Sequence, residues 1–318
     1  MPLLDVGSLT IEYHARRGNV RAVDNVSFSL KKGEILGVVG ESGSGKSTLG
    51  LSLIRQIPPP GAIMNGNIKL DGKSVLSLKK EQMRLVRGRR IAFVFQDPMT
   101  SLNPVKNIKD HFIELLKTHE PNLTEAEALG RAKNILNVLG ISPERMKDYP
   151  HQFSGGMRQR IMMGLGIALN PDLVIADEPT TALDVIVQAK ILDLLKKLRD
   201  TYGMALILIT HDLSIALERC DEIIVMYAGQ IVERAKSKDI QENPNHPYTQ
   251  GLMRSIPNIE LADQKLEAIP GSPPNLLNLP KGCRFNPRCP FAMPYCYNET
   301  PLIEVDREHF VRCFLYGG

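Results

Sequence analysis

Glu34-Ile-Leu-Gly-Val-Val-Gly40-Glu41-Ser42-Gly43-Ser44-Gly45-Lys46-Ser47-Thr48 is the stretch on which the fold turns. Its first part, Glu34 to Val39, is a short apolar run suited to a buried strand. From Gly40 the chain matches G-x-x-x-x-G-K-[ST], and a helical stretch follows from Lys46 to about Gln56, closed by Pro58-Pro59-Pro60. Glycines let a backbone wrap closely around an anion and turn several N–H groups inward. The mouth of the helix adds its partial positive charge. In that setting Lys46 reaches the β/γ-phosphates of a nucleotide, and the Ser47 hydroxyl ligates Mg²⁺. Strand, glycine turn and helix in this order predict a phosphate cradle from Ser42 to Thr48 rather than a surface turn.

Outward from that loop the pattern alternates. Asn67 to Leu70, Ile91 to Phe95, Leu173 to Ala176 and Ala205 to Ile209 read as strands, with a helix from about Val185 to Thr201. Ile223 to Tyr227 and Gln230 to Glu233 flank a hairpin turn at Ala228-Gly229. From Asp97 to about Gly164 the pattern is mostly helical. Apolar runs separated by helices predict an α/β fold with a covered parallel sheet and a helical insertion. Leu173-Val-Ile-Ala-Asp177-Glu178 ends a strand in two carboxylates. Asp177 suits a second Mg²⁺ ligand, held through water. Glu178 comes next in what reads as an extended segment, so it points the other way and can face an attacking water.

Composition bounds the rest. Of 318 residues, 43% are hydrophobic and 23% charged, which excludes a disordered chain. The longest strictly apolar runs, such as Met204 to Ile209, have six residues, whereas a membrane-spanning helix needs roughly 18. The start, MPLLDVGSLTIEY, has neither the basic nor the apolar region of a secretory signal, which predicts a cytosolic chain. A net charge of +4 makes no case for nucleic acid. Eleven of the 22 prolines lie from Asn243 onward, and four of the five cysteines from Cys283 onward. The chain thus divides into a long body and a short Pro-rich, Cys-bearing tail, too small to bury much core alone.

Phe153-Ser154-Gly155-Gly156-Met157-Arg158-Gln159-Arg160 resembles the signature, usually written LSGGQ, of the ATP-binding cassette (ABC) ATPases. Further motifs of that family follow in order. Gln96 ends the IAFVF strand like the Q-loop, Thr181-Ala182-Leu183-Asp184 resembles the D-loop, and His211 resembles the switch histidine. Tyr13 stands where the family has an aromatic that stacks on adenine. Phe153, Met157 and Thr181 depart mildly from the family pattern, while Ser154, Gly155 and Gly156 are intact. The resemblance spans roughly residues 3–255. It implies a P-loop NTPase cassette over 1–256, with a helical subdomain about 97–164 that contacts a permease, and an extension over 257–318. It implies catalytic roles for Glu178, His211, Gln96 and Lys46, and Mg²⁺ held by Ser47, Gln96 and Asp177. It also implies a head-to-tail dimer in which Ser154, Gly155 and Gly156 close the partner's ATP site. A helix mouth capped by Ser154 and opened by two glycines is itself a second anion site, surplus unless it serves another subunit.

Cys283, Cys289, Cys296 and Cys313 are spaced C-x₅-C-x₆-C-x₁₆-C. Four thiols in such a segment can ligate a [4Fe–4S] cluster or Zn²⁺, or pair as disulfides. A reducing cytosol disfavours disulfides, and no tight C-x₂₋₄-C pair of the zinc type is present. His246 to Leu252 (HPYTQGL), Ile269 to Leu276 (IPGSPPNL) and Gly282 to Cys289 (GCRFNPRC) resemble the C-terminal extension of oligopeptide/dipeptide importer ATPases. That resemblance implies a [4Fe–4S] cluster on the four cysteines, as a staple. Isolated Cys220 reads as a small buried residue. The expectation is a peripheral ATPase at the cytoplasmic face of the membrane. Its implied partners are two transmembrane permease subunits, a second ATPase subunit (a copy or a relative) and, indirectly, an extracytoplasmic solute-binding protein. Alternatives are an importer of another solute such as a nickel chelate, a non-transport ABC ATPase acting on nucleic acid or ribosomes, and a binding module whose tail cluster senses redox state or iron, with ATP incidental.

Overall fold

The computed structural model describes residues 1–16, 18–97, 101–181, 184–256 and 268–317. Contacts divide the chain into two compact units, Met1–Leu76 with Leu208–Gly318, and Ser77–Ile207. Among the described residues no helix is long and apolar enough to cross a membrane.

The first unit begins with β1 (Leu4–Ala15) and β2 (Gly18–Leu30), an antiparallel pair absent from the sequence reading. Its buried positions are Leu4, Val6, Leu9, Ile11, Ala22, Val23, Val26, Phe28 and Leu30. Register shifts after Val6, Leu9 and Ile11 break the two-residue alternation, with Ser8 at φ 46° and Asn25 at φ 49°. Bulges of this kind hide a strand from pattern reading. β3 (Ile35–Val39), buried at every position, leads through the glycine turn into α1 (Lys46–Leu53). The helix stops three residues short of the expected Gln56; Arg55 takes φ 51° ahead of the triple proline. β4 (Gly61–Leu70), longer than expected, and β5 (Lys73–Ser74) complete a sheet of order β2-β1-β4-β5.

In the second unit come α2 (Lys80–Val86), β6 (Ile91–Val94), α3 (Ile108–His119), α4 (Glu125–Val138), α5 (Gly155–Ile167), β7 (Leu173–Asp177) and α6 (Val185–Tyr202). β6 and β7 pair in parallel, Ile91 against Leu173 through Val94 against Ala176. The helical insertion is present as α3, α4 and α5. Thr124 caps α4 in a capping box with Glu127, and Gly203, at φ 66°, closes α6. The division between units falls inside β8 (Ala205–Thr210), which is buried throughout.

The chain returns to the first unit with α7 (Leu213–Arg219), β9 (Glu222–Tyr227), β10 (Gln230–Lys236), α8 (Ser237–Glu242) and α9 (Pro247–Arg254). β9 lies parallel to β3 and turns into β10 at Ala228 and Gly229, both with positive φ. The tail adds β11 (Ile303–Asp306) and β12 (His309–Val311), which continue this sheet as β3-β9-β10-β12-β11. The tail is therefore sheet-bonded to the nucleotide-loop unit. Fully buried Glu233 on β10 makes the join: it accepts the N–H groups of Asn245 (2.7 Å) and His246 (2.9 Å) and lies 2.8 Å from the His309 ring. A buried carboxylate is tolerable because each oxygen has partners.

Candidate functional site

The glycine turn after β3 has the geometry its sequence predicts. Gly40, Gly43 and Gly45 all take positive φ. A Cβ on Gly40 would stand 2.1 Å from Met226 O, and one on Gly45 2.1 Å from Ala22 O, so only glycine fits at either position. Lys46 is 4% exposed and folds over the loop, its Nζ donating to Gly40 O (2.7 Å) and Glu41 O (2.9 Å) and lying 3.4 Å from Ser44 Oγ. Ser42, Gly43, Ser44, Gly45, Ser47 and Thr48 follow one another across the mouth of α1. The Tyr13 hydroxyl, on β1, lies 3.4 Å from Thr48 Oγ1, which puts that ring beside the first turn of the phosphate helix. His211 follows β8 in this unit and is exposed; its neighbour Asp212 caps α7 by accepting the Ser214 N–H at 2.8 Å.

The second unit holds the carboxylates. Asp177 is the last residue of β7 and is 6% exposed. Glu178 does not continue the extended strand as expected. It turns at φ 44°, a left-handed conformation costly for a residue with a Cβ. The turn brings its Oε2 within 3.1 Å of Gln96 Nε2 and 2.8 Å of Thr181 Oγ1, both donating to it. Strand alternation cannot foresee this turn, because it ends at Asp177. Thr181, a mild departure from the family pattern, is a direct partner of Glu178. Ala182 and Leu183 of the D-loop lie outside the described residues.

The signature is built as a helix mouth. Ser154 is the N-cap of α5, accepting the Met157 N–H at 3.3 Å, and Gly155 and Gly156 open the helix. A Cβ on Gly156 would meet Val187 Cγ1 at 2.6 Å. The two unusual residues share one neighbour that the sequence did not single out. The guanidinium of Arg145 sits 4.1 Å from the centroid of the buried Phe153 ring, and its Nη1 lies 3.6 Å from Met157 Sδ. Its Nη2 also donates to Gln152 O at 3.0 Å. The departures from LSGGQ thus form one local packing unit.

In the tail, Cys283, Cys289, Cys296 and Cys313 all carry free thiols and line a single cavity together with His246, Phe285, Phe291, Met293 and Phe314. The cavity is nearly filled by side chains, with a free volume of only about 10 Å³. Cys283 N–H donates to Cys296 O at 2.8 Å, and Gly282 at φ 69° permits the approach: a Cβ there would lie 2.3 Å from Cys296 O. Burial pushes the Cys283 thiol up to about 11, with the other three thiols adding to the rise. The thiols of Cys289 and Cys313 are also raised, mainly by burial. Among the described residues no group of three or more His, Cys, Asp or Glu side chains is arranged to hold a metal, so the cluster expected on Cys283, Cys289, Cys296 and Cys313 has no assembled ligand set here. Cys220 is buried, as expected, against Gly37.

Comparison with known proteins agrees with both regions. The family description "ABC transporter" matches residues 23–181, and "Oligopeptide/dipeptide transporter, C-terminal region" matches 232–296. The chain is 46% identical to the oligopeptide transport ATP-binding protein AppD of Bacillus subtilis, over 99% of this chain and 97% of that one. It is 44% identical to the dipeptide transport ATP-binding protein DppD of Haemophilus influenzae, over 98% and 95%. Among solved structures it is similar to the dimeric ATP-binding cassette MJ0796 in a post-hydrolysis state with ADP and Pi. That match has TM-score 0.66 and 28% identity, and covers 74% of this chain and 98% of that one. With its phosphate loop, signature helix and tail accounted for, the chain belongs to the ABC transporter ATPases and carries the oligopeptide/dipeptide transporter C-terminal region.

Proposed function

We propose that this chain is the ATP-hydrolysing subunit of an importer that takes up oligopeptides or dipeptides. It works peripherally at the cytoplasmic face of a membrane, against two permease subunits, and closes on a second ATPase subunit. The observation that carries this reading is the identity with peptide-transport ATP-binding proteins over nearly the whole chain, tail included. Residues 1–256 act as the cassette and 257–318 as its extension.

The roles follow from chemistry. Backbone N–H groups from Ser42 to Thr48, with Lys46, hold the phosphates of ATP, and Tyr13 stacks on the base. Ser47, Gln96 and Asp177 hold Mg²⁺, which when bound neutralises charge developing on the phosphates. Glu178 accepts a proton from the attacking water, oriented by Gln96 and Thr181, and a base so placed contributes about 10²–10⁴ in rate. His211 hydrogen-bonds the γ-phosphate. Ser154, Gly155 and Gly156 offer a second helix mouth to the partner's nucleotide, so ATP joins two copies and hydrolysis releases them.

The four tail cysteines are read as ligands of a [4Fe–4S] cluster. One observation supports this: all four line one cavity. When bound, such a cluster supplies a cross-link among four chain positions and a one-electron couple.

The test is purification of the tagged chain from membranes, followed by reconstitution of the recovered assembly into vesicles. The expected result is ATP-driven peptide uptake that Lys46→Ala abolishes. Recovery without membrane subunits, or ATP hydrolysis indifferent to Lys46, overturns the reading.

A further inference from the structure

Three stretches near the C-terminus, one at the end of the cassette and two in the extension, have no part in the phosphate chemistry just described: His246–Leu252, Ile269–Leu276 and Gly282–Cys289. The first and third meet one residue of the phosphate loop, Glu41, through Tyr248 and Arg288, and the second supplies carbonyls to Arg288. The Arg288 side chain is 6% exposed, and every N–H of its guanidinium is engaged. Nε donates to Pro270 O at 2.9 Å. Nη1 donates to Glu41 Oε2 at 2.8 Å and to the Tyr227 hydroxyl at 3.2 Å. Nη2 donates to Glu41 Oε1 at 3.1 Å and to Ile269 O at 3.4 Å. The contact with Glu41 is therefore a two-pronged fork, the arrangement that fixes a carboxylate most tightly. The main chain of Glu41 is held too, its N–H donating to the buried Tyr248 hydroxyl at 2.9 Å. Its carbonyl accepts from Lys46 Nζ at 2.9 Å, so a short series of hydrogen bonds runs from the tail to the phosphate lysine.

A second tie runs beside it. Arg284 donates to Asp24 and to Ala228 O, and the next N–H, that of Gly229, donates to Ser44 O of the loop at 2.9 Å.

Glu41 is out of place in an anion-binding loop unless something cancels its charge. A carboxylate left loose there repels a triphosphate, and at short range that repulsion is large. We infer that Arg288 is a positioning residue for nucleotide binding: from the C-terminal tail it neutralises Glu41 and turns its carboxylate away from the phosphate cradle. The inference rests on the ATP reading above. It gives the extension a task in the ATPase cycle that the cassette's own residues do not perform.

The test is calorimetric titration of MgATP into the full-length chain. Arg288→Ala is expected to weaken binding about tenfold, within the usual range of couplings between sites. The loss is expected to shrink as salt is raised, because it is electrostatic. Glu41→Gln combined with Arg288→Ala is expected to recover most of the affinity. A merely structural arginine gives no such rescue. If Arg288→Ala does not fold, Arg288→Gln, with and without Glu41→Gln, makes the same comparison: the glutamine keeps a polar side chain and loses the charge. Unchanged affinity in a folded variant, or a double variant no better than the single, overturns the inference. Absence of MgATP binding by the unmodified chain overturns the ATP reading itself, a distinct result.

Discussion

Gln96 donates its side-chain amide to the carboxylate of Glu178 across 3.1 Å, from 82 residues away in the chain. Glu178 takes a strained φ of 44° to receive it. Strain of this kind persists where surrounding bonds over-determine it, and here Thr181 supplies the second bond. Glu178→Gln is predicted to keep MgATP binding, lower turnover by about 10²–10⁴ and accumulate an ATP-bound dimer. Size-exclusion chromatography with millimolar ATP checks this, and a variant that stays monomeric counts against the head-to-tail dimer.

Lys46→Ala removes the cation that lies over the phosphate cradle, with Nζ donating to Gly40 O and Glu41 O. Hydrogen bonds to charged groups contribute about 1.5–3 kcal/mol, so MgATP affinity is predicted to fall by about tenfold to hundredfold. Fluorescent-nucleotide titration reads this directly; an unchanged Kd argues that the loop does not bind phosphate.

Phe153→Leu restores the usual first residue of the signature but gives up the stacking of Arg145. A cation over an aromatic face contributes about 0.5–1 kcal/mol at exposed sites. The predicted cost in a urea melt is about 1 kcal/mol, with ATP hydrolysis preserved. Phe153→Ala in the same buried site is predicted to cost about 3–5 kcal/mol. Equal stability of the three proteins would show that Arg145 does not use the ring.

Chain purified without oxygen is predicted to be brown and to contain about four irons, the stoichiometry of a cubane on four thiolates. Cys289→Ser and Cys296→Ser are predicted to lose both iron and colour, and to melt at lower temperature. A colourless protein with one zinc overturns the cluster assignment and leaves the ATP site untouched.

Cys220 is predicted to resist alkylation in the folded chain at neutral pH. Burial drives its pKa far upward, with the Asp221 charge adding to the rise. Only the thiolate reacts, so reactivity stays low until the pH is strongly alkaline or the chain unfolds. Mass spectrometry after brief iodoacetamide treatment, with and without urea, distinguishes the two states. Rapid labelling without urea contradicts the packing against Gly37.

What the sequence determined by itself is local. The phosphate loop and the signature were legible because each is a contiguous stretch whose glycines dictate the backbone and whose helix mouth supplies the charge. β3, β7, β8 and β9 were legible because a strand buried on both faces is a simple apolar run. Tertiary structure decided the rest. β1 and β2 were hidden because bulges at Ser8 and Asn25 scramble their alternation, and pairing rather than pattern holds them. The left-handed turn at Glu178 follows from partners at Gln96 and Thr181, not from its neighbours along a strand. The four cysteines share a cavity, and Arg288 grips Glu41 across 247 residues, only because the tail extends the same sheet that carries the phosphate loop. No local propensity encodes such contacts: they exist only once long loops have closed and buried the groups that meet.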